Sequence, residues 1–485
     1  MILPMCVEDY VSPTNTVRAI DAYVSTLDLA TLGYQHSQIA ASTGQPAFNP
    51  AVLLKLYLYG YMQRLHSSRR LEREAVRNLE LVWLVEGAKP TYKTIADFRK
   101  NNGAALKATH RDFLLLCKEL ALFGGEAVGV DGSFFKADTN KAHIYTAEKL
   151  DKQLAQLEKK IQSYQDALEK NDAAGDVAGQ GSLGEDNQLA DKIKRLQEKQ
   201  AEKQELQQKL KNSGNKQVSV VDEDARLLTK RGETTGGYNV QIAVDNKHKL
   251  IVAEEVTQEG NDTGLLATML EKAQAILQSE NLTGLADSGY FEGGQLKACE
   301  DNHITVYVAV PDKSKRIAEQ GRFARRQFGY DAVQDCYLCP QGETLKPSGQ
   351  PQCKNHKNYI RYQSKASTCA GCPIRQQCLK PTTRRKQIER WEHEAVIERH
   401  KLRMGQKPEM MKKRAALVEH PFGTLKNRAG AQHFLMRGLE KCRGEFSLMV
   451  LGYNFSRVLV LLGVERLRDY CAQRREKGDK NLKYA

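Results

Sequence analysis

The most constraining feature of the chain is a short apolar run that ends in an isolated acid. Residues 127–133 read AVGVDGS, so small and β-branched residues lead directly to Asp131 and then to a glycine. This pattern predicts a buried β-strand whose end faces away from the core. A carboxylate in that position is costly unless it is paired, hydrogen-bonded or bound to a cation. Taken alone, the motif favours a simpler interpretation, in which Asp131 caps the following turn.

The same pattern occurs a second time further along the chain. Residues 282–290 read LTGLADSGY, where a short apolar strand ends in Asp287. Between the two aspartates, residues 238–244 and 249–256 alternate polar and apolar side chains, which predicts a hairpin with one buried face. The resulting order of strand, hairpin, helix, strand, helix and strand is typical of a mixed α/β sheet covered by helices.

Changes in composition divide the rest of the chain. Apolar residues at helical spacing predict a helical N-terminal region, and a stretch rich in Lys, Gln, Glu and Leu predicts an inserted helical hairpin. The predicted divisions are a helical N-terminal domain that either binds DNA or caps its neighbour (1–120), an α/β core in two parts (121–146 and 217–310), the coiled hairpin insertion (147–216), a basic cysteine-rich insertion (311–386), the last core helices (387–465) and a polar, mobile tail (466–485).

Charge and cysteine content narrow the function classes. The chain has 73 Lys and Arg against 59 Asp and Glu, a net charge of +14, which favours a polyanionic partner. Because no stretch approaches 18 consecutive apolar residues and the N-terminus lacks a signal-peptide pattern, we expect DNA rather than a membrane as that partner, and a cytoplasmic location. Six of the eleven cysteines lie within residues 336–378, which indicates a reducing compartment and a local metal site rather than a disulfide framework.

Two strand-end aspartates, together with Glu419 in a basic segment near the end of the chain, match the requirements of two-cation phosphoryl transfer. Such carboxylates hold two hard cations, Mg²⁺ or Mn²⁺, about 3.5–4 Å apart. One cation activates a water or a 3′-hydroxyl, and the other neutralises the departing oxygen. The sequence has no serine-hydrolase elbow, zinc-protease motif or phosphate-binding loop that would indicate a different chemistry.

Other acids compete for a role in metal binding. Asp222 and Asp224 precede the predicted hairpin, and we interpret them as loop or capping residues. Glu254 and Glu255 are predicted to face solvent from a strand, and Asp262 is interpreted as part of the cap of the next helix.

Four motifs, taken in order, resemble the DDE transposases of bacterial insertion sequences. They are VDG at 130–132, GYNVQ at 237–241, ADSGY at 286–290, and VEHPFG at 418–423 followed by Lys426. The chain is most similar to insertion sequence family 1182, over nearly its whole length to about residue 460. The resemblance implies a ribonuclease H-like fold, two divalent cations per active site, and cleavage and joining of DNA at element ends. Because two ends must be cut together, a homodimer is expected in the active complex.

The resemblance also implies roles for individual acids. Asp131, Asp287 and Glu419 would be the catalytic triad that binds the metal ions. Since Pro421 fits the first turn of a helix, Glu419 is predicted to lie at or just before a helix start.

Basic residues around Glu419 correspond only in part to the signature of the wider transposase group. Lys426 matches the lysine seven positions after the glutamate. The signature arginine stands four positions before the glutamate, where this chain has Ala415, and Arg414 lies one residue away. The residues expected to contact DNA phosphates are Lys413, Arg414, Lys426 and Arg428.

The cysteine cluster contains two Cys-x-x-Cys pairs, which predict a four-thiolate zinc site. The preferred ligands are Cys336, Cys339, Cys369 and Cys372, with Cys353 or Cys378 as substitutes. The pairs are 29 residues apart, however, which is wider than the ~15–20 residues of a compact zinc ribbon. Reduced structural thiols are therefore the alternative.

Two other functions are consistent with the same features. The first is a ribonuclease H-like nuclease that cuts DNA without strand transfer. The second is a catalytically inactive DNA-binding protein whose coiled hairpin and cysteine-rich insertion are the working parts.

Overall fold

The computed structural model describes residues 6–37, 46–178, 183–230, 232–312 and 314–483. The predicted N-terminal domain, hairpin insertion, cysteine-rich insertion and tail each include residues outside this part. The α-helices in the described residues are α1 (Thr16–Val24), α2 (Pro50–Met62), α3 (Ser68–Arg77), α4 (Leu79–Leu84), α5 (Tyr92–Asn101), α6 (Gly103–Glu119), α7 (Ala147–Ala178), α8 (Leu183–Ser213), α9 (Leu266–Leu277), α10 (Gly293–Asp301), α11 (Ser314–Glu319), α12 (Ala366–Ala370), α13 (Arg375–Cys378), α14 (Glu394–Gln406), α15 (Met410–Gly423), α16 (Leu439–Leu462) and α17 (Val464–Lys483).

Within the described ranges, the β-strands form one central sheet, one sheet in the cysteine-rich region and a small two-stranded sheet. In chain order they are β1 (Ala127–Lys136), β2 (Ile144–Thr146), β3 (Gln217–Ser219), β4 (Arg226–Lys230), β5 (Glu233–Asp245), β6 (Ile251–Thr257), β7 (Thr283–Ala286), β8 (Thr305–Val308), β9 (Gly329–Asp331), β10 (Cys336–Leu338), β11 (Thr344–Pro347), β12 (Gln352–Lys354), β13 (Lys357–Gln363) and β14 (Gln387–Trp391).

The central sheet is mixed, as the alternation of strand and helix patterns predicts. β1 pairs with β5 in antiparallel fashion and with β7 in parallel fashion, and β7 pairs in parallel with β8. β4 and β6 pair with different stretches of β5, both antiparallel. The sheet therefore has an antiparallel half followed by a parallel half, joined at β1.

Helices cover both faces of this sheet because its strands carry apolar residues on both sides. β5 contributes Val240, Ile242 and Val244 to a core cluster that includes residues of α15 and α16. Its neighbour Ala243 belongs to a second cluster, with residues of α9 and α10. This alternation follows from the two-residue period of a β-strand.

The N-terminal helices share a core with the last part of the chain. α16 packs against α2, α6 and β6. It is long and apolar enough to cross a membrane by length and composition, but 72% of its most apolar stretch is buried inside the protein. A buried ion pair between Arg99 of α5 and Glu445 of α16, with atoms 3.4 Å apart, joins the two regions. α16 is thus the core element that connects the helical N-terminal region to the central sheet.

The inserted segments lie outside this core. α7 and α8 pack against each other, and Tyr145, Leu150 and Leu210 form a small apolar cluster with them. The polar tail predicted to be mobile is instead a helix over its described part. Leu467 and Cys471 of α17 are fully buried, because this helix packs against α1.

Candidate active site

The register of two parallel strands sets Asp131 and Asp287 side by side. Gly129 of β1 lies opposite Leu285 of β7. Asp131 and Asp287 each lie two residues further along these parallel strands, so they are neighbours. The motif predicts that Asp131 ends its strand. This prediction is wrong, because β1 remains paired with β5 as far as Lys136. β7 does end just before Asp287. Both carboxylates therefore lie at the edge where the parallel half of the sheet stops.

One guanidinium joins the two aspartates. Nη2 of Arg414 lies 2.7 Å from Oδ1 of Asp131 and 3.5 Å from Oδ2 of Asp287. Nε of Arg414 is buried without a hydrogen-bond partner. Burial raises the pKa of Asp131, while Arg414 and the N–H of Gly132 act in the opposite direction. The two carboxylates thus share one positive charge, in the position where the resemblance implies a metal ion.

Glu419 lies on a different side of its helix. It is in the second half of α15, and Pro421 is inside the same helix, so the predicted position at a helix start is wrong. Arg414 and Val418 face the sheet, and Cγ1 of Val418 is 2.8 Å from where a Cβ on Gly129 would be. At about 100° per residue, Glu419 is roughly 140° around the helix from Arg414. It is exposed, and its carboxylate makes no hydrogen bond or ion pair with a described residue.

A third carboxylate near the pair is Asp262. A Cβ on Gly132 would be 2.6 Å from its Oδ1, so Asp262 lies against the residue that follows Asp131. The same oxygen accepts hydrogen bonds of 2.8 Å from Asn239 and 2.7 Å from Gln241, whose side chains are fully buried on β5. The interpretation of Asp262 as part of a helix cap is wrong, since α9 begins at Leu266 without a side-chain cap. The sequence signal that could have pointed to Asp262 is the GYNVQ motif. Its two amide side chains are buried, and buried amides need a polar partner.

Lys426 lies at the same edge of the sheet. Its Nζ donates to Oγ of Ser133, at 2.6 Å, and to the carbonyl oxygen of the next residue, at 2.7 Å. Burial lowers the pKa of Lys426 to about 8, and the nearby Lys230 acts in the same direction. The other basic residues predicted to contact DNA, Lys413 and Arg428, are exposed.

Other acids that could compete for a role in metal binding have hydrogen-bond or ion-pair partners away from the aspartate pair. Asp222 is buried and accepts hydrogen bonds from the Tyr238 hydroxyl and from a backbone N–H. Glu254 does not face solvent as predicted: its Oε1 lies 3.0 Å from Nδ1 of His110 and accepts a hydrogen bond from Ser447. Glu255 also does not face solvent freely, because Lys272 and Arg443 pair with it.

As placed, no group of three or more His, Cys, Asp or Glu side chains in the described ranges could hold a metal ion. At the sheet edge the physical reason is visible, because the guanidinium of Arg414 occupies the space between Asp131 and Asp287. The two carboxylates fit a hard divalent cation by their chemistry and by their shared position. Asp262 is a further carboxylate beside the pair, whereas Glu419 would have to be reoriented to join it.

Comparisons with known proteins identify the class of enzyme. Residues 338–459 match the family model described as a transposase DDE domain, and residues 5–101 match the transposase domain DUF772. The two matches lie at opposite ends of the chain, and both are transposase domains. The chain therefore contains a transposase DDE domain. It is a DNA transposase, an enzyme that cleaves DNA and transfers strands.

No curated protein matches the transposase. Among solved structures, it is similar to the piggyBac transposase in a cryo-EM synaptic complex with hairpin DNA, with 8% sequence identity and a TM-score of 0.31. That similarity covers 96% of this chain and 80% of the other.

The cysteine-rich region of the transposase brings together a different set of thiols from the preferred one. A cavity of about 230 Å³ is lined by Cys339, Cys369, Cys372 and Cys378. The first three thiols each act to raise the pKa of Cys378, which is consistent with their closeness. Cys336 is buried in β10 outside this cavity, and Cys353 is exposed on β12.

Proposed function

We propose that this transposase moves a bacterial insertion sequence by binding the ends of the element, cleaving phosphodiester bonds with divalent cations and joining the 3′ ends to target DNA. The strand register that sets Asp131 beside Asp287 is the observation that carries this proposal. A pair of carboxylates at the edge of a sheet, with basic side chains around it, suits phosphoryl transfer on a polyanionic substrate.

Mg²⁺ or Mn²⁺ is the proposed cofactor, with two ions per active site. Asp131 and Asp287 would hold the ions, because hard cations prefer carboxylate oxygens and one positive charge already reaches both residues. When bound, such ions activate the attacking oxygen and neutralise the departing one. Glu419 is the third ligand that the resemblance implies, and it would require α15 to turn. Asp262 is the alternative that needs no such movement.

Basic residues are proposed to position the DNA. Lys426 is held by β1 two residues beyond Asp131, so its ammonium would meet a phosphate next to the scissile bond. Arg414 would exchange its carboxylate partners for a DNA phosphate when a cation binds the aspartates. Lys413 and Arg428 are exposed and would contact the backbone further away.

The ribonuclease H-like assignment is supported by the central sheet. In spatial order its strands are β6, β5, β1, β7 and β8. The first three are antiparallel neighbours, and the last two run parallel to β1. This arrangement agrees with the fold that the resemblance implies.

The finer biological assignments follow from the four motifs and from the chemistry of transposition. We assign the chain to insertion sequence family 1182 on the VDG, GYNVQ, ADSGY and VEHPFG motifs. A homodimer is proposed because both element ends must be processed together. The enzyme would act in the cytoplasm, on the DNA of the nucleoid.

The test uses the full-length protein with DNA duplexes that carry the terminal repeats flanking its coding sequence. Pre-cut ends are incubated with target plasmid and Mg²⁺, and joined products are separated on gels. The variants are Asp131→Asn and Asp287→Asn, with Asp138→Asn as a matched control, because Asp138 is an exposed acid that pairs with Arg437. We expect joining by the wild type and the control, and a loss of at least about 100-fold in the other two variants.

Other outcomes separate the alternatives. Uncut duplexes are tested in parallel, and their cleavage without any joining of the pre-cut ends would identify a nuclease without strand transfer. Unchanged joining by Asp131→Asn would remove Asp131 from the reaction. End binding without cleavage by the wild type would support the inactive DNA-binding protein.

A further inference from the structure

The cysteine-rich region contains a cavity that none of the transposition chemistry uses. It lies between the turn that follows β10 and the segment that contains α12 and α13, and four cysteines line it. We propose that Cys339, Cys369, Cys372 and Cys378 bind one Zn²⁺ through four thiolates. The site is independent of the Asp131 and Asp287 pair.

Backbone geometry on both sides of the cavity suits metal binding. Cys339 begins a tight turn, in which the N–H of Gly342 donates to the Cys339 carbonyl at 2.8 Å and Gly342 has a positive φ of 79°. A side chain with a Cβ would be strained there. On the other side, Nη1 of Arg375 donates to the Cys369 carbonyl, and the Arg375 N–H donates to the Cys372 carbonyl, both at 3.2 Å. These bonds fix the local conformation of each cysteine-bearing segment beside the cavity.

The sheet explains how residues distant in sequence reach one site. The long separation between Cys339 and Cys369 is taken up by β11, β12 and β13, in which β11 and β12 each pair with β13 as antiparallel strands. One ligand then comes from the β10–β11 turn, and three come from residues 369–378. One ligand plus three therefore replaces the two pairs of ligands that the Cys-x-x-Cys spacing predicts. The wide sequence spacing between the pairs is then no argument against a zinc site.

Cys336 and Cys353 are unsuited to the site for different reasons. Cys336 is 2% exposed and lies 4.0 Å from Oε1 of Gln334, on a strand outside the cavity. Cys353 is exposed on β12, also outside the cavity. Neither thiol shares the space that the other four line.

The proposed ion would stabilise a region with little core of its own. Among its described residues, the apolar cluster has five buried members, namely Phe328, Tyr337, Leu345, Tyr362 and Ile388. Small units of this kind are commonly stabilised by a metal or by disulfides. As placed in the described part of the chain, these thiols do not form a group that could hold an ion, so binding requires side-chain rotations that bring each sulfur to about 2.3 Å from zinc.

The test measures metal content in the full-length protein, purified under reducing conditions without chelators. We expect one zinc per chain in the wild type. Replacement of zinc by Co²⁺ should give the visible absorption of a tetrahedral four-thiolate site. The key pair of variants is Cys378→Ser, which should lose the metal, and Cys336→Ser, which should retain it. Cys378→His keeps a zinc-binding side chain and should restore binding with a shifted Co²⁺ spectrum.

Three results would overturn the proposal. They are a wild-type protein without zinc, loss of zinc from Cys336→Ser, and full retention by Cys378→Ser. If Cys378→Ser does not fold, the Co²⁺ spectrum of the wild type still counts the thiolates, and the Cys378→His variant still tests the position. Strand-transfer assays are not used as the readout, so a negative result here leaves the proposed transposition unaffected.

Discussion

At the scale of single residues, the candidate site is defined by charges that compensate one another. Asp131 and Asp287 share Arg414, and Asp262 is held by two buried amides on the neighbouring strand. Unpaired carboxylates in this position would be costly, so the arginine makes the cluster tolerable without a metal. A divalent cation could replace that single positive charge at the same oxygens.

The identity of the third carboxylate can be tested by comparing Asp262→Asn with Glu419→Gln. We expect Asp262→Asn to weaken Mn²⁺ binding by about 10-fold or more, since Asp262 already lies beside the pair. Glu419→Gln should leave Mn²⁺ binding to the DNA-free protein unchanged, because Glu419 is exposed and directed away. Electron paramagnetic resonance of free Mn²⁺ measures both affinities. The reverse order would show that α15 turns Glu419 into the site.

Lys426 should give the transposase a pH-dependent stability. Its folded-state pKa is about 8, below the ordinary 10.5 of lysine, because the ammonium is partly desolvated. Between those values the unfolded chain binds more protons than the folded one, so the free energy of unfolding rises with pH in this window. Relative to Lys426→Met, the wild type should therefore gain stability from pH 8 to 10. Urea unfolding of both proteins measures the difference, and a difference independent of pH would contradict the assignment.

At the scale of elements, α15 determines which side chains reach the sheet. Its contact face is set by the close approach of Leu417 and Val418 to Gly129. With this face against β1, Arg414 meets the aspartates and Glu419 does not. The position of one glycine therefore controls the orientation of the helix that carries the proposed DNA-binding residues.

The variant Gly129→Ala tests this contact. The added Cβ would lie 2.8 Å from Val418 and 3.2 Å from Leu417, so α15 should be displaced at a cost of about 1–3 kcal/mol. Gly423→Ala is the matched control, because that glycine also belongs to α15 and has no atom within 4 Å of a new Cβ. We expect Gly129→Ala to lower the unfolding free energy and strand transfer, and Gly423→Ala to lower neither. Equal effects would argue against close packing at Gly129.

At the scale of the whole molecule, the N-terminal helices and the central sheet form one packed unit. Both contribute to the same core cluster, and α16 lies between them. The buried Arg99–Glu445 pair crosses this junction, and Glu445 also accepts hydrogen bonds from two backbone N–H groups. This packing favours a capping role for the N-terminal region, in addition to any contact with DNA.

Breaking that pair should destabilise the whole enzyme. Arg99→Leu leaves Glu445 buried without its charge partner, which typically costs about 3–5 kcal/mol. The double variant Arg99→Leu/Glu445→Leu should recover part of the loss, because no unpaired charge remains. Chemical denaturation followed by fluorescence and by circular dichroism measures both. If only the N-terminal helices unfold in Arg99→Leu, the two regions are less coupled than their shared core implies.

Local patterns predicted the parts of this fold that depend on neighbouring residues. The alternation in β5 and β6, the apolar runs of β1 and β7 and the amphipathic hairpin α7–α8 each follow from side-chain periodicity along one element. The GYNVQ motif is visible in the sequence, but the role of its two amides is not, because their common partner lies in a loop beyond the next strand. Asp262 could not be assigned without that long-range contact.

The sequence by itself determined the mixed sheet, the two aspartates and the basic character that suits DNA, because each depends on residue type and spacing along the chain. Only the tertiary structure decided which carboxylate accompanies them and which thiols meet. Helix rotation turns Glu419 outward by fixing its neighbours against Gly129. Strand pairing brings Cys378, rather than Cys336, to the cavity of Cys339. Both outcomes depend on how distant segments pack, which spacing in the sequence does not encode.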